Sequence, residues 1–205
     1  MKTAQAFLSG MTRLAGNGGD LSRTNSVASV FVSRIDSVVD KKLDALMKAE
    51  GDESVKEQLL SLRGKAAVAN SELIYQKSLE IFSGEQYKEL KKQGANVQRV
   101  LWGSTGTKDP AYSDIKYVTE LIAKNTVNTL PEKTLDAFLD HGSVGEAVTS
   151  DAGGAQALIG NLGSLGIDIN EVCARLLEAG VGAFADSFDN LLNTIGAKGT
   201  EVGKG

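Results

Sequence analysis

Three short segments of the chain are rich in β-branched and aromatic residues, and each is followed by apolar positions at helical spacing. They cover residues 26–33, 96–104 and 126–129. Buried strands have this composition, so the pattern predicts three strands, each leading into a helix. After the first segment the apolar positions lie three and four residues apart and form one helical stripe of Ile35, Val38, Val39, Leu43, Leu46 and Met47.

Two further helices are predicted after the second and third segments. The second segment leads through Pro110 to a helix with Ser113 as its N-cap and an apolar face between residues 115 and 122. The third leads to a helix that has Pro131 at its first position and stops at Gly142.

The order of the predicted elements alternates between strand and helix, which favours parallel strands joined by right-handed crossovers. A long helical region, residues 53–92, separates the first two strands and is interrupted at Gly64 and Gly84. Three parallel strands leave open edges, whereas a closed barrel needs eight strands and typically about 250 residues. The pattern therefore predicts part of an α/β architecture whose remaining strands lie elsewhere.

After His141 no further strand is predicted. Residues 151–195 have helical periodicity, and we expect helices separated at Gly166 and Gly180. Residues 196–205 are rich in glycine and lysine and are expected to form a flexible tail.

Charge and composition argue against several classes of function. The formal net charge is −4, so nucleic acid is not expected as a partner. Polar residues interrupt the apolar run at the start of the chain, which therefore fails as a signal peptide, and no stretch approaches the roughly 20 apolar residues of a membrane span. Cys173 is the only cysteine and is expected to be buried or inert. A cytoplasmic protein without a membrane partner is the simplest expectation.

Candidate chemistry is sought at the carboxyl ends of the strands, because the loops there share one rim in parallel α/β folds. Arg34 follows the first strand directly, and its planar set of donors suits a carboxylate or a phosphate. A salt bridge to Asp36 or Asp40 is an equally good explanation of this arginine.

The second strand ends in the sequence GSTGTK, residues 103–108. Successive backbone N–H groups in such a turn can form an anion-binding concavity, although a plain connecting turn is the alternative. The sequence does not match the nucleoside-triphosphate loop G-x-x-x-x-G-K-[ST]. Arg34 and this loop together favour a phosphate site.

His141, the only histidine, is expected to end a helix, and no Cys/His cluster has metal-ligand spacing.

Longer blocks of the sequence resemble a known family. SVASVFVSRIDSVVDKKLD, RGKAAVANSELIYQ and RVLWGSTGTKDPAYSDIKYVTELIAKNTVNTLPEKTLDAFLDHG are similar to the later part of the bacterial transaldolase family. The resemblance extends from Ala6 to Ile195, with the blocks in the family's order and spacing. It implies that residues 1–195 are part of a (β/α)8 TIM barrel, namely its last three strands with their helices, followed by carboxy-terminal helices.

The resemblance also implies an enzyme of the pentose phosphate pathway. Transaldolases move a dihydroxyacetone unit from sedoheptulose 7-phosphate to glyceraldehyde 3-phosphate, which gives erythrose 4-phosphate and fructose 6-phosphate. A lysine forms a Schiff base with the donor carbonyl, and no metal or organic cofactor is required. In the family this lysine and its acidic partners precede the blocks matched here. The chain is therefore expected to contain no catalytic residue of its own and to be inactive alone.

The residues implied by the resemblance belong to the phosphate side of the site. Arg34 matches the arginine that binds the substrate phosphate after the sixth barrel strand, and Ser104 matches the phosphate-contacting serine after the seventh. Ser29 and Phe31 match positions that line the pocket.

The chain departs from the family pattern two places beyond the phosphate-contacting serine. Many members have an arginine there, whereas this chain has Gly106, so Lys108 is the replacement cation that we assign. Lys65 and Lys108 can each be considered as a substitute nucleophile, but neither lies on the expected early strand, which argues against both.

Two other arrangements remain open from the sequence. The chain can be a non-catalytic half-barrel subunit that supplies the phosphate site to a separate amino-terminal polypeptide. It can also be fused to a downstream isomerase in a parent protein.

Overall fold

A computed structural model describes residues 2–148 and 152–202. Within them the strands are β1 (Ser26–Phe31), β2 (Gln98–Gly103) and β3 (Thr126–Asn128). The helices are α1 (Lys2–Gly16), α2 (Ser33–Ala49), α3 (Glu53–Leu62), α4 (Ala66–Ser83), α5 (Glu85–Lys92), α6 (Lys116–Thr119), α7 (Glu132–His141), α8 (Gly153–Ser164) and α9 (Ile169–Val202). The predicted α/β class is confirmed.

The three strands form one sheet in the order β1-β2-β3, and both pairings are parallel, as predicted. The register of β1 and β2 runs from Ser26 opposite Gln98 to Phe31 opposite Gly103. Both strands therefore end at the same level, and the segments that follow them emerge side by side.

The two faces of the sheet differ in burial. On β2, Gln98, Val100 and Trp102 are buried, and the Trp102 indole N–H donates to the Leu121 carbonyl oxygen at 3.1 Å. We call the opposite face the open face. It consists of Val27, Ser29 and Phe31 of β1 with Arg99 and Leu101 of β2.

The open face exposes apolar surface. Val27 is 41% exposed, Phe31 is 47% exposed and Ser29 between them is also exposed, while Ala28 and Val30 on the other face are half-buried. Parallel strands are normally covered on both sides, so this face lacks a covering layer within the described residues.

The predicted strands are longer than the observed ones. The first was predicted to reach Ser33, but the chain enters α2 there. The Val32 N–H still bonds to the last residue of β2, and the Ser33 N–H bonds to the residue after it. The second was predicted to begin at residue 96 and begins at Gln98. The third ends at Asn128 instead of residue 129.

Several helix boundaries follow the sequence. The stripe predicted after the first strand is α2, which buries Ile35, Val39 and Leu43. The region 53–92 consists of α3, α4 and α5, with breaks at Gly64 and Gly84, as predicted.

The helix predicted around residues 113–122 was wrong in extent. The observed α6 has four residues and Ile115 as its N-cap, while Ser113 only accepts the Ile115 N–H through its hydroxyl at 3.4 Å. After α6 the Leu121 carbonyl oxygen bonds to the buried Trp102 instead of continuing a helical ladder.

Pro131 was predicted to be the first residue of its helix, but it is the N-cap, and α7 begins one residue later at Glu132. Gly142 follows α7 as its C-cap. Gly142 therefore marks the end of this helix, as the sequence indicated.

The helix α1 was not predicted from the sequence. It packs on α5 through a cluster of buried side chains that includes Leu8, Met11, Tyr87 and Leu90. Phe82 and Tyr87 meet edge to face at 5.1 Å between ring centroids.

The chain divides into two compact units between Ile167 and Asp168. The first unit contains the sheet and α1 to α8, with α8 beginning at Gly153; the predicted start at residue 151 lies outside the described residues. None of the described helices is long and apolar enough to cross a membrane.

The second unit contains α9. This helix passes through Gly180, so the break predicted there was wrong, whereas Gly166 has φ +78° and does separate two helices. Residues 196–202 are helical and residues 203–205 lie outside the described part. Cys173 in α9 is half-buried, and burial raises the pKa of its thiol.

Candidate functional site

The carboxyl ends of β1 and β2 are joined beyond the last paired residues of the sheet. The Val32 N–H donates to the Gly103 carbonyl oxygen at 2.9 Å, and the Ser33 N–H donates to the Ser104 carbonyl oxygen at 3.0 Å. The first residue of α2 is therefore bonded to the first residue of the loop after β2.

The side chains of the same two residues also meet. The Ser33 and Ser104 hydroxyl oxygens lie 3.0 Å apart. Ser104 has φ 55°, a left-handed conformation that residues with a side chain seldom adopt. Such backbone outliers persist where surrounding contacts hold them, and they cluster at ligand sites.

The loop after Ser104 is fixed to the next strand. Thr105 is fully buried, and its hydroxyl donates to Asn128 Oδ1 at 2.8 Å, at the carboxyl end of β3. The ends of all three strands are thereby connected at one rim, as expected for parallel strands.

Arg34 is exposed at this rim, and its guanidinium carbon lies 5.2 Å from the centroid of the Phe31 ring. Within residues 2–148 and 152–202 it forms no ion pair, so the salt bridge to Asp36 or Asp40 that the sequence left open is not made. A guanidinium stacked on an aromatic ring keeps its N–H donors at the edge, where they can bind an anion.

Ser29 and Phe31 lie on the open face of β1, and both are exposed. Phe31 lies in the last position of β1, three residues before Arg34. The structure therefore forms two pairs, Arg34 with Phe31 and Ser33 with Ser104, at the adjoining ends of β1 and β2.

Lys108 lies further along the loop and is exposed. It lines a cavity of about 490 Å³ together with Asp36, Asp40, Arg63 and Asp109. Neither Arg34 nor Ser104 contributes to this lining among the residues that the structure describes. Lys108 is placed beside carboxylates in this cavity.

Two functional candidates were missed in the sequence. Ser33 was assigned to a strand, so its pairing with Ser104 was not considered. Asp36 was considered only as an ion-pair partner of Arg34, but it is buried, and burial raises the pKa of its carboxyl group. Its spacing of four residues from Asp40 on a helix was the available signal.

His141 ends α7 at the surface, as predicted. Its Nε2 lies 3.1 Å from Asp114 Oδ1 and its Nδ1 lies 3.1 Å from Asp140 Oδ2. The hydrogen bond with Asp140, followed by that with Asp114, raises the pKa of the imidazole. In the described part of the chain, no group of three or more His, Cys, Asp or Glu residues could hold a metal ion.

Comparison with known proteins identifies relatives. A family model described as Transaldolase/Fructose-6-phosphate aldolase matches residues 1–195. A transaldolase from Mycobacterium tuberculosis (strain ATCC 25618 / H37Rv) is 49% identical over 189 residues, which cover 91% of this chain and 48% of the relative. A transaldolase from Renibacterium salmoninarum is 48% identical over 204 residues, which cover 96% of this chain and 52% of the relative.

These matches cover a larger share of this chain than of the relatives. Nearly all of this chain is matched, but the chain spans about half the length of the curated relatives. The long match to the family model, together with the identity to these relatives, shows that the chain belongs to the transaldolase/fructose-6-phosphate aldolase family.

Proposed function

We propose that this chain supplies the phosphate-binding side of a transaldolase active site, built on part of a (β/α)8 barrel. The reaction is the transfer of a dihydroxyacetone unit from sedoheptulose 7-phosphate to glyceraldehyde 3-phosphate in the cytoplasmic pentose phosphate pathway, without a metal or organic cofactor. One observation carries the proposal. The contact between Ser33 and Ser104 sets the first turn of α2, which bears Arg34, against the GSTGTK loop.

The chemistry of this rim suits a sugar phosphate. A phosphate monoester carries close to two negative charges at neutral pH and offers several acceptor oxygens. Arg34 supplies a charged fork of donors, Ser104 supplies a hydroxyl, and the amino-terminal end of α2 lies at the same rim. In this proposal Ser29 and Phe31 line the pocket on the sugar side, and Lys108 is an additional cation of the loop.

The proposal assigns the Schiff-base lysine to the part of the relatives that this chain does not match. Lysines that form Schiff bases are typically activated by desolvation or by a neighbouring cation. Lys65, at the N-cap of α4, and Lys108 are both exposed, so neither is desolvated. Both are therefore poor candidates for the nucleophile.

Borohydride trapping tests this assignment. The chain is incubated with fructose 6-phosphate and sodium borohydride, and covalent adducts are sought by intact-mass and peptide mass spectrometry. The full-length Mycobacterium tuberculosis relative is the positive control. We expect an adduct on the relative and none on this chain. A stoichiometric adduct on a lysine of this chain would show that the nucleophile had been assigned wrongly.

The second candidate function is a non-catalytic half-barrel subunit that binds a separate amino-terminal polypeptide. The open face favours it, because Val27 and Phe31 expose apolar surface on a sheet with an unpaired edge at β1.

Mixing the halves tests this second function. The partner polypeptide is the part of the Mycobacterium tuberculosis relative that this chain does not match, and the readouts are sedimentation velocity and aldol transfer. Recovery of transfer supports a two-chain enzyme, and its loss with Phe31→Asp would locate the contact on the open face. Halves that sediment independently would exclude this function.

A further inference from the structure

Two carboxylates one turn apart on α2 are buried beneath the phosphate rim. Asp36 is 2% exposed and Asp40 is 6% exposed. Residues four apart lie on the same helix face, so both carboxylates face the turn before α4 and the segment that follows β2. A buried carboxylate is costly unless its oxygens accept hydrogen bonds, which makes its partners informative.

Asp36 uses both of its oxygens. Oδ1 accepts the Ala67 N–H of α4 at 2.8 Å, and Oδ2 accepts the Tyr117 hydroxyl at 2.7 Å. Tyr117 is itself buried and lies in α6, at the end of the loop that Ser104 begins. The carboxylate thus links α2 to α6, at the far end of the segment that follows β2.

Asp40 repeats the arrangement one turn later. It accepts the Gly64 N–H at 3.0 Å and the Tyr112 hydroxyl at 2.8 Å. Arg63, beside Gly64, has its Nη2 3.1 Å from Asp109 Oδ2 of the same loop. Asp109, Tyr112 and Tyr117 therefore hold the segment after β2 against α2 and the turn before α4, and Tyr117 is the most buried of these three.

We propose that Asp36 and Tyr117 are a positioning pair, which holds the loop between β2 and α6 against α2 so that Ser104 and Arg34 stay at one phosphate site. This inference rests on the proposed function and deepens it. Arg34 lies in the first turn of α2 and Asp36 in the same turn, so a single helix end carries both the anion ligand and the loop anchor. Neither Asp36 nor Tyr117 has to touch the substrate.

The left-handed backbone at Ser104 explains why an anchor matters. That conformation is unfavourable for a serine, so a loop released at Tyr117 can relax away from it. Relaxation would withdraw the Ser104 hydroxyl from the rim and lower phosphate affinity without removing any ligand group.

Removing the tyrosine hydroxyl tests the pair. Tyr117→Phe deletes the hydrogen bond to Asp36 and keeps the ring, and the matched control is Tyr75→Phe. Tyr75 is also buried, and its hydroxyl donates to the Lys124 carbonyl oxygen at 3.0 Å. In the full 205-residue chain, we would measure binding of inorganic phosphate and of fructose 6-phosphate by calorimetry, thermal unfolding, and hydrogen exchange of residues 104–115.

We expect Tyr117→Phe to weaken the binding of both ligands about tenfold and to speed amide exchange in the loop. Tyr75→Phe should lose about as much thermal stability as Tyr117→Phe but should change the affinity for either ligand by less than about twofold. Asp36→Asn should keep wild-type affinity, because an amide can accept from Ala67 and donate to the tyrosine oxygen. Asp36→Ala cannot do this and should resemble Tyr117→Phe.

The outcomes separate this inference from the proposed function. Unchanged loop exchange and affinity in Tyr117→Phe would overturn the positioning role, and so would equal losses of affinity in Tyr75→Phe. If the unsubstituted chain binds neither phosphate nor fructose 6-phosphate while Tyr117→Phe alone loosens the loop, the proposed phosphate site fails and the anchoring of the loop stands.

Discussion

At the residue scale, Ser104 shows how the rim is assembled. A left-handed conformation costs a residue with a side chain about 1–2 kcal/mol. Ser104 nevertheless has φ 55°, and both its carbonyl oxygen and its hydroxyl bond to Ser33. The contacts to α2 therefore help to hold the loop in a conformation that it would not adopt alone.

Arg34 can be tested directly at this scale. Arg34→Ala should weaken the binding of inorganic phosphate about tenfold or more, and Arg34→Lys should recover only part of the loss, because lysine lacks the planar fork. The control is Arg23→Ala, which removes the same charge from an exposed arginine before the amino end of β1. Isothermal titration calorimetry provides the measurement. Equal losses in the two alanine variants would indicate that only net charge matters.

Asp36 predicts a pH dependence of stability. Burial is the main cause of its raised pKa, so the folded state binds this proton more tightly than the unfolded state, whose aspartate has a pKa of about 3.9. Between that value and the raised folded pKa, the contribution of Asp36 to stability falls as pH increases. Relative to Asp36→Asn, the wild-type chain should therefore lose stability through this window and change little above it.

Urea unfolding of both proteins from pH 3 to pH 8 measures this difference. A difference in unfolding free energy that stays constant across this range would contradict the raised pKa of the Asp36 carboxyl group.

At the element scale, the turn between α3 and α4 depends on the glycine at position 64. Gly64 has φ +67°, and a Cβ added there would lie 2.7 Å from the Tyr112 ring. The same residue donates its N–H to Asp40. Glycine at this turn is thus required for both the backbone conformation and the close approach of the loop tyrosine.

Gly64→Ala should therefore destabilise the chain by about 2–4 kcal/mol, since strain and overpacking add. Gly166→Ala is the matched control, because Gly166 also has positive φ, +78°, but a Cβ there meets nothing within 4 Å. That variant should cost only about 1 kcal/mol. Equal costs in chemical denaturation would mean that the Tyr112 ring moves aside freely.

The elements also show which sequence signals were sufficient. The stripe of α2 and the glycine breaks at Gly64 and Gly84 follow from local periodicity and turn chemistry, and these predictions were confirmed. The prediction of a helix break at Gly180 was wrong, because a glycine inside a helix costs only about 1 kcal/mol and need not end the helix.

At the scale of the whole molecule, burial is uneven. Every residue from Val181 to Gly199 of α9 is exposed, although Phe184, Phe188 and Leu191 are large and apolar. Helices in proteins owe most of their stability to the packing of an apolar face. Little packing therefore supports this part of α9.

Hydrogen exchange should reveal this difference. Amides from Val181 to Gly199 should exchange much faster than those of α2, whose Val39 and Leu43 are fully buried. Mass spectrometry of peptic fragments resolves the two helices. Equal protection would show that the apolar side of α9 is covered in solution, and sedimentation velocity would then tell whether a second copy covers it.

The sequence by itself determined the α/β class and most of the strands and helices of this protein, but neither α1 nor the extent of α6. Alternation of β-branched runs and helical stripes predicted three parallel strands in an α/β fold, and long sequence blocks identified the family, because both signals are carried by neighbouring residues. Tertiary structure alone decided which side chains meet. The contacts of Ser33 with Ser104 and of Asp36 with Tyr117 join residues separated by 71 and 81 positions, and no local pattern encodes such a distance.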